Sequence, residues 1–146
     1  MTIMQVLYTA SATASGDGRD GHVETSDGTF TLDLAVPKEM GGAGGAANPE
    51  QLFAAGYAAC FHGALRLVAR RAKADVTGSV VAAEVGIGPN GSGGFGLTVQ
   101  LVVDLPAVPR DAAEQLVEQA HQVCPYSNAT RGNIEVALAV RESLAA

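Results

Sequence analysis

A chain of 146 residues, 47% of them apolar, is long enough for one domain with a sizeable core, too short for two, and too apolar to stay disordered. Its formal charge of −6, with no Lys/Arg-rich run, argues against nucleic acid as a partner. The opening Met-Thr-Ile-Met-Gln-Val lacks the basic and apolar regions of a secretory leader, and the uncharged apolar stretch 52–61 is too short for a membrane span, so a soluble cytoplasmic protein is expected.

Residues 9–15 alternate Thr/Ser with Ala, the period of a half-buried strand. Glycines and Asp over 16–21 mark a turn around Arg19. A short strand, a turn at 26–28 and a strand over 30–34 complete a meander. The glycine-rich stretch 41–47 reads as a flexible connector; it lacks the Lys-Ser/Thr ending of a phosphate loop.

A helix is predicted to start at Asn48, with Pro49 in its first turn and Gln51 completing a capping box. From 52 to 69 it is apolar almost all round apart from His62 and Arg66, so it should be central and buried. Gly56, Ala59 and Gly63 share a face that a second helix could approach closely. Strands are predicted over about 79–87 and 95–104, then a helix from about 110 to 124 with Ala113, Leu116, Ala120, Val123 and Cys124 on its apolar stripe, stopped by Pro125. Ile134, Val136, Leu138 and Val140 alternate into a closing strand. The order βββ-α-ββ-α-β, without regular βαβ repetition, predicts an α+β fold.

The chemistry lies in the two cysteines, Cys60 and Cys124, one in each predicted helix. In the cytoplasm such a pair is more often catalytic, sensing or metal-binding than a structural bridge. The plain alternative is two small buried hydrophobes. A free thiol has a pKa of about 8.5 and burial raises it, so a reactive cysteine needs help to ionise. Cys60 lies about three turns into its helix, too far to use that helix's N-terminus. Arg66, six positions on, points roughly to the opposite face, which leaves Arg19 and Arg131 as cations. For Arg19 the plain alternative is a solvated loop residue. Glu50 precedes Cys60 by ten residues, about 15 Å along a straight helix, so a site holding both needs a broken helix or a second subunit. Glu50 also suits a helix start in its own right.

Zinc is a competing chemistry, since Cys60, His62, His121 and Cys124 are all zinc ligands by type. Residues two apart on a helix point roughly 200° apart, which sets Cys60 and His62 against sharing one ion, whereas His121 and Cys124 could. A redox sensor without turnover is a further alternative. Phe53, Phe61, Leu65 and Phe95 could line an apolar channel, or pack in the core.

The run Asn48-Pro-Glu-Gln-Leu-Phe-Ala-Ala-Gly-Tyr-Ala-Ala-Cys60-Phe-His-Gly-Ala-Leu resembles the peroxidatic-cysteine helix of the OsmC/Ohr family. Val123-Cys124-Pro-Tyr-Ser-Asn-Ala-Thr-Arg-Gly-Asn133 resembles the second-cysteine motif of its organic hydroperoxide resistance (Ohr) branch, and Tyr8-Thr-Ala through Gly18-Arg19-Asp-Gly21 also matches. The likeness covers essentially the whole chain. It implies a single peroxidase domain over 1–146, with β-sheets wrapped around two central helices in an intertwined homodimer. It also implies an antioxidant enzyme of the oxidative stress response that reduces organic or lipid hydroperoxides to alcohols. Cys60 would be the peroxidatic nucleophile; Arg19 would hold it as thiolate and orient the peroxide; Glu50 would fix Arg19. The Cys60 sulfenic acid would condense with Cys124 to a disulfide, reduced again by a lipoylated protein or another dithiol, with no bound metal, haem or flavin.

Overall fold

The structure, a computed structural model, describes residues 4–141, and contacts along the chain divide it into two units, 1–49 and 50–146. The first unit is the expected meander. Strands β1 (Ala12–Ser15), β2 (His22–Thr25) and β3 (Thr31–Asp33) pair antiparallel in the order β1-β2-β3, with Ala14 opposite Val23 and Val23 opposite Leu32. Between β1 and β2 a 3-10 turn over Gly18–Asp20 carries Arg19, and Gly16 enters it at φ 77°, where glycine is free of the Cβ penalty. The Asp20 carboxylate accepts the Val36 N–H at 2.9 Å, tying that turn to the segment after β3.

Two expectations fail in this unit. β1 is exposed along its whole length rather than half-buried: it pairs along one edge only, and its alternating side chains are small. The glycine-rich stretch is a built turn rather than a loose connector. Gly42 and Gly44 donate their N–H groups to Pro37 and Val36 carbonyls at 3.1 and 2.9 Å, and a Cβ on Gly42 would sit 2.1 Å from the Val36 oxygen. Leu34 is the buried apolar side chain of this unit among the described residues.

In the second unit, α1 (Pro49–Arg71) and α2 (Arg110–Val123) surround their core with the sheet β4 (Val80–Pro89), β5 (Phe95–Asp104) and β6 (Val136–Arg141), in the order β4-β5-β6. β4 and β5 form an antiparallel hairpin, and β6 adds parallel to β5 with Leu101 opposite Leu138. As the alternation predicts, Val99, Leu101, Val103 and Leu105 are buried, against Tyr57, Phe61, Leu65 and Val68 of α1 and Ala113, Leu116, Val117 and Ala120 of α2. This agrees with the α+β expectation, with the sheet of this unit packed against two helices.

Helix α1 departs from its expected all-round burial. Its buried residues Tyr57, Phe61, Ala64, Leu65, Val68 and Ala69 repeat every three or four positions on one face, while Ala55, Ala59 and Gly63 are exposed. By length and composition the helix could cross a membrane, with a mean hydropathy of 1.4, a property hidden when only the uncharged stretch 52–61 is counted. Gly56 makes room for a tyrosine on a neighbouring helix: a Cβ there would lie 2.9 Å from the Tyr126 hydroxyl. That tyrosine belongs to a helix with no counterpart in the predicted order, α3 (Pro125–Thr130), which starts where Pro125 ends α2.

Candidate active site

The site forms where α1 meets the α2–α3 break. Cys60 projects from the middle of α1, partly buried, and Cys124 is the residue between α2 and α3, fully buried. Cys124 leaves α2 with φ −61° and ψ 123°, an extended conformation of the kind the residue before a proline prefers, and Pro125 starts α3 with its φ already set. The turn brings the two sulfurs to 3.5 Å, with the Cys124 thiol donating to Cys60 Sγ. A disulfide needs about 2.05 Å, so an approach of roughly 1.5 Å would join them.

Burial pushes the Cys60 thiol up from its ordinary value, because the low-dielectric surroundings penalise the thiolate. The Tyr126 backbone N–H acts against burial by favouring the charged sulfur. The neighbouring Cys124 acts in the same direction as burial: the proton shared between the two sulfurs and any charge on Cys124 both oppose ionisation of Cys60.

Around the thiols stands a polar and aromatic group of which the sequence reading singled out only His121 and Phe53. The fully buried Tyr57 hydroxyl lies 2.8 Å from Ser127 Oγ and 3.3 Å from Thr130 Oγ1, and Ser127 Oγ lies 2.8 Å from His121 Nδ1. Phe53, Tyr57 and Tyr126 pack with ring centroids 5.6–6.0 Å apart. Tyr57 stands three residues before Cys60, and that spacing on one helix face was the available signal.

The remaining predicted residues fall as follows. Arg19 lies on the 3-10 turn of the first unit, and Glu50 is in the first turn of α1. Helix α1 runs unbroken from Pro49 to Arg71, so Glu50 stands about 15 Å along the axis from Cys60 of the same chain. Arg131 is committed elsewhere: its guanidinium donates to Asn128 Oδ1 at 2.7 Å and to the His121 carbonyl. Burial and the Arg131 charge lower the His121 pKa, with Glu118 acting in the opposite direction. The zinc-capable side chains go separate ways, His62 to Ser79 at 2.8 Å and His121 to Ser127. Among the described residues no group of three or more His, Cys, Asp or Glu could hold a metal. Of the suggested channel, Phe61 and Leu65 are fully buried core residues and Phe95 is exposed at the start of β5, which leaves Phe53 beside Tyr57 and Tyr126.

Residues 42–139 match the family model described as OsmC-like protein. The organic hydroperoxide resistance protein of Xanthomonas axonopodis pv. citri is 54% identical over 136 residues, 92% of this chain and 94% of that protein. Among solved structures, an organic hydroperoxide resistance protein of Elizabethkingia anophelis with bound thiocyanate superposes with a TM-score of 0.92 at 52% identity, covering 96% of this chain and all of that one (100%). The organic hydroperoxide resistance protein OhrB of Bacillus subtilis superposes at 0.84 with 43% identity, covering 93% of this chain and 100% of that one. With a family model spanning most of its length and such relatives along nearly all of it, the chain belongs to the OsmC-like family, in its organic hydroperoxide resistance branch.

Proposed function

We propose that this protein is a thiol-dependent peroxidase that reduces organic hydroperoxides to alcohols. The observation that carries the reading is the 3.5 Å separation of Cys60 and Cys124 sulfurs that lie 64 residues apart in the chain. The Cys60 thiolate attacks the distal oxygen of the hydroperoxide, the O–O bond breaks, and the alkoxide leaves as alcohol after taking a proton. Cys60 is then a sulfenic acid. Cys124 attacks its sulfur, a disulfide forms, and the sulfenic oxygen leaves as water with the thiol proton. A dithiol, with a lipoylated protein as the expected donor, restores both thiols and is itself oxidised to a disulfide.

Burial alone would leave Cys60 protonated, so the cycle needs a cation, and in this reading Arg19 supplies it while Glu50 holds Arg19. An unbroken α1 separates Glu50 from the Cys60 of its own chain, which supports a site assembled from two copies. The exposed Ala55, Ala59 and Gly63 of α1, the exposed Met4, Val6, Leu7 and Tyr8, and the sparse core of the first unit support the same intertwined homodimer. We place the protein in the cytoplasm, where dithiol donors keep such a pair reduced.

The test is hydroperoxide consumption with dihydrolipoamide by the wild type, Cys60→Ser and Cys124→Ser. Turnover is expected only in the wild type, and Cys124→Ser should still oxidise Cys60 once. Full turnover by Cys60→Ser would overturn the assignment, and wild-type protein that stops after one oxidation would indicate a sensor.

A further inference from the structure

We propose that the chain Tyr57–Ser127–His121 is a clamp that positions the two thiols for disulfide closure. The inference deepens the peroxidase reading and rests on it for its biological meaning. Ser127 and Thr130 are the two buried polar residues among those described, and both hydroxyls converge on the Tyr57 hydroxyl. Both belong to α3, the helix that starts at the residue after Cys124.

The spacing explains what the chain holds. Tyr57 precedes Cys60 by three residues on α1, and Ser127 follows Cys124 by three. The bond between them ties the same two segments that the sulfur contact ties, one turn away. Two separate ties fix both the distance and the rotation of α3 against α1, where one would leave α3 free to pivot. His121 precedes Cys124 by three, and its contact with Ser127 spans the break between α2 and α3. Arg131 braces the same corner through the His121 carbonyl. Cys124 sits at the apex of an angle closed by a hydrogen bond.

Stability alone does not account for this. Apolar side chains of similar shape at these positions would hold the core about as well, whereas hydrogen bonds add direction. Tyr57, Ser127 and His121 are therefore positioning residues. They act on closure by keeping Cys124 Sγ, and the Tyr126 N–H that follows it, aimed at Cys60.

The consequence is a partition. Sulfenic Cys60 either loses its oxygen as water to Cys124 or meets a second hydroperoxide, which transfers another oxygen, leaves as alcohol and yields an irreversible sulfinic acid. Loosening the clamp slows the first route and leaves the second open. Tyr57→Phe, which keeps the ring and removes one oxygen, and Ser127→Ala should slow closure about five- to thirtyfold, the effect of one or two lost buried hydrogen bonds. The sulfinic fraction at excess peroxide should rise accordingly. His121→Asn, whose amide can replace Nδ1 in the contact with Ser127 as donor or acceptor, should close faster than His121→Ala.

The experiment follows thiol loss and disulfide by quenched mass spectrometry, with tert-butyl hydroperoxide and separately with diamide. Diamide takes two electrons and two protons from the dithiol to become a hydrazine, so it closes the pair without a sulfenic acid. Slower closure by both oxidants, with the first oxidation of Cys60 by peroxide changed far less, would support the clamp. Wild-type closure rates in folded Tyr57→Phe and Ser127→Ala would overturn it, leaving a purely structural role; if Ser127→Ala does not fold, Tyr57→Phe decides alone. Wild-type protein that closes with diamide but never consumes hydroperoxide would sink the peroxidase reading instead, and the diamide rates would still decide the clamp.

Discussion

Oxidation should make this protein markedly harder to unfold, and the size of the effect follows from the geometry. Joining Cys60 to Cys124 closes a loop of 64 residues. The chain-entropy relation gives about 4 kcal/mol of stabilisation for that length, through the conformations denied to the unfolded chain. Closure moves the sulfurs from 3.5 Å to bonding distance, and rotating two side chains off their preferred torsions costs about 1 kcal/mol. A net gain of about 3 kcal/mol corresponds to a rise of roughly 6–12 °C in melting temperature for a domain of this size. The assay compares melting by circular dichroism for fully reduced protein and for protein given one equivalent of hydroperoxide, with the Cys60–Cys124 bond verified by peptide mapping. Cys124→Ser treated identically should show no rise. Oxidised protein that carries the bond yet melts at or below the reduced form would show that closure strains the fold, and would refute the view that the thiols stand ready to join.

Further tests address the cation, the half-buried imidazole and the glycine turn. Arg19→Ala should move the pH profile of Cys60 alkylation upward by about one unit, the effect of removing a nearby opposite charge; an unchanged profile would remove Arg19 from the mechanism. The folded-state pKa of His121 lies below its ordinary 6.5, so as pH falls the unfolded chain binds a proton first. Its contribution to stability is therefore full above about 6.5 and declines as pH drops through the lower folded value. Urea midpoints at pH 7.5 and 5.0 should fall further in the wild type than in His121→Asn, and equal falls would exclude the effect. Gly42→Ala puts a Cβ 2.1 Å from a backbone oxygen and should cost about 1–3 kcal/mol by urea unfolding, despite lying in a stretch that resembles a linker.

The secondary structure was legible wherever one side of an element faces the core of its own chain. Strand β5 was readable to its ends because buried Val99, Leu101, Val103 and Leu105 alternate with less buried neighbours, and α2 because its apolar stripe stops at a proline. β1 and α1 misled for the opposite reason. Their small and apolar residues carry a pattern that predicts burial on more faces than the structure covers: β1 is exposed along its length and α1 is buried along one face. Helix α3 was missed because six residues are too few for a helical period, although Pro125 was its start signal. The same omission hid the polar cluster. Ser127 and Thr130 have meaning only once α3 turns them toward Tyr57, some seventy positions earlier in the chain.

The missed helix also answers a question that the cysteines pose. Cys60 is too deep in α1 to gain from the start of that helix, and on the sequence alone this ruled out helix-end assistance. The break at Cys124 supplies a different helix start. Pro125 has no N–H to offer, so the first donor that α3 presents is that of Tyr126, and it favours the Cys60 thiolate. One backbone turn therefore does two jobs: it swings the second thiol to 3.5 Å from the first and brings an unsatisfied N–H to the same sulfur. A continuous helix through Cys124 would bond its own N–H groups internally and withhold that donor. The proline that ends α2 thus shapes the surroundings of both sulfurs.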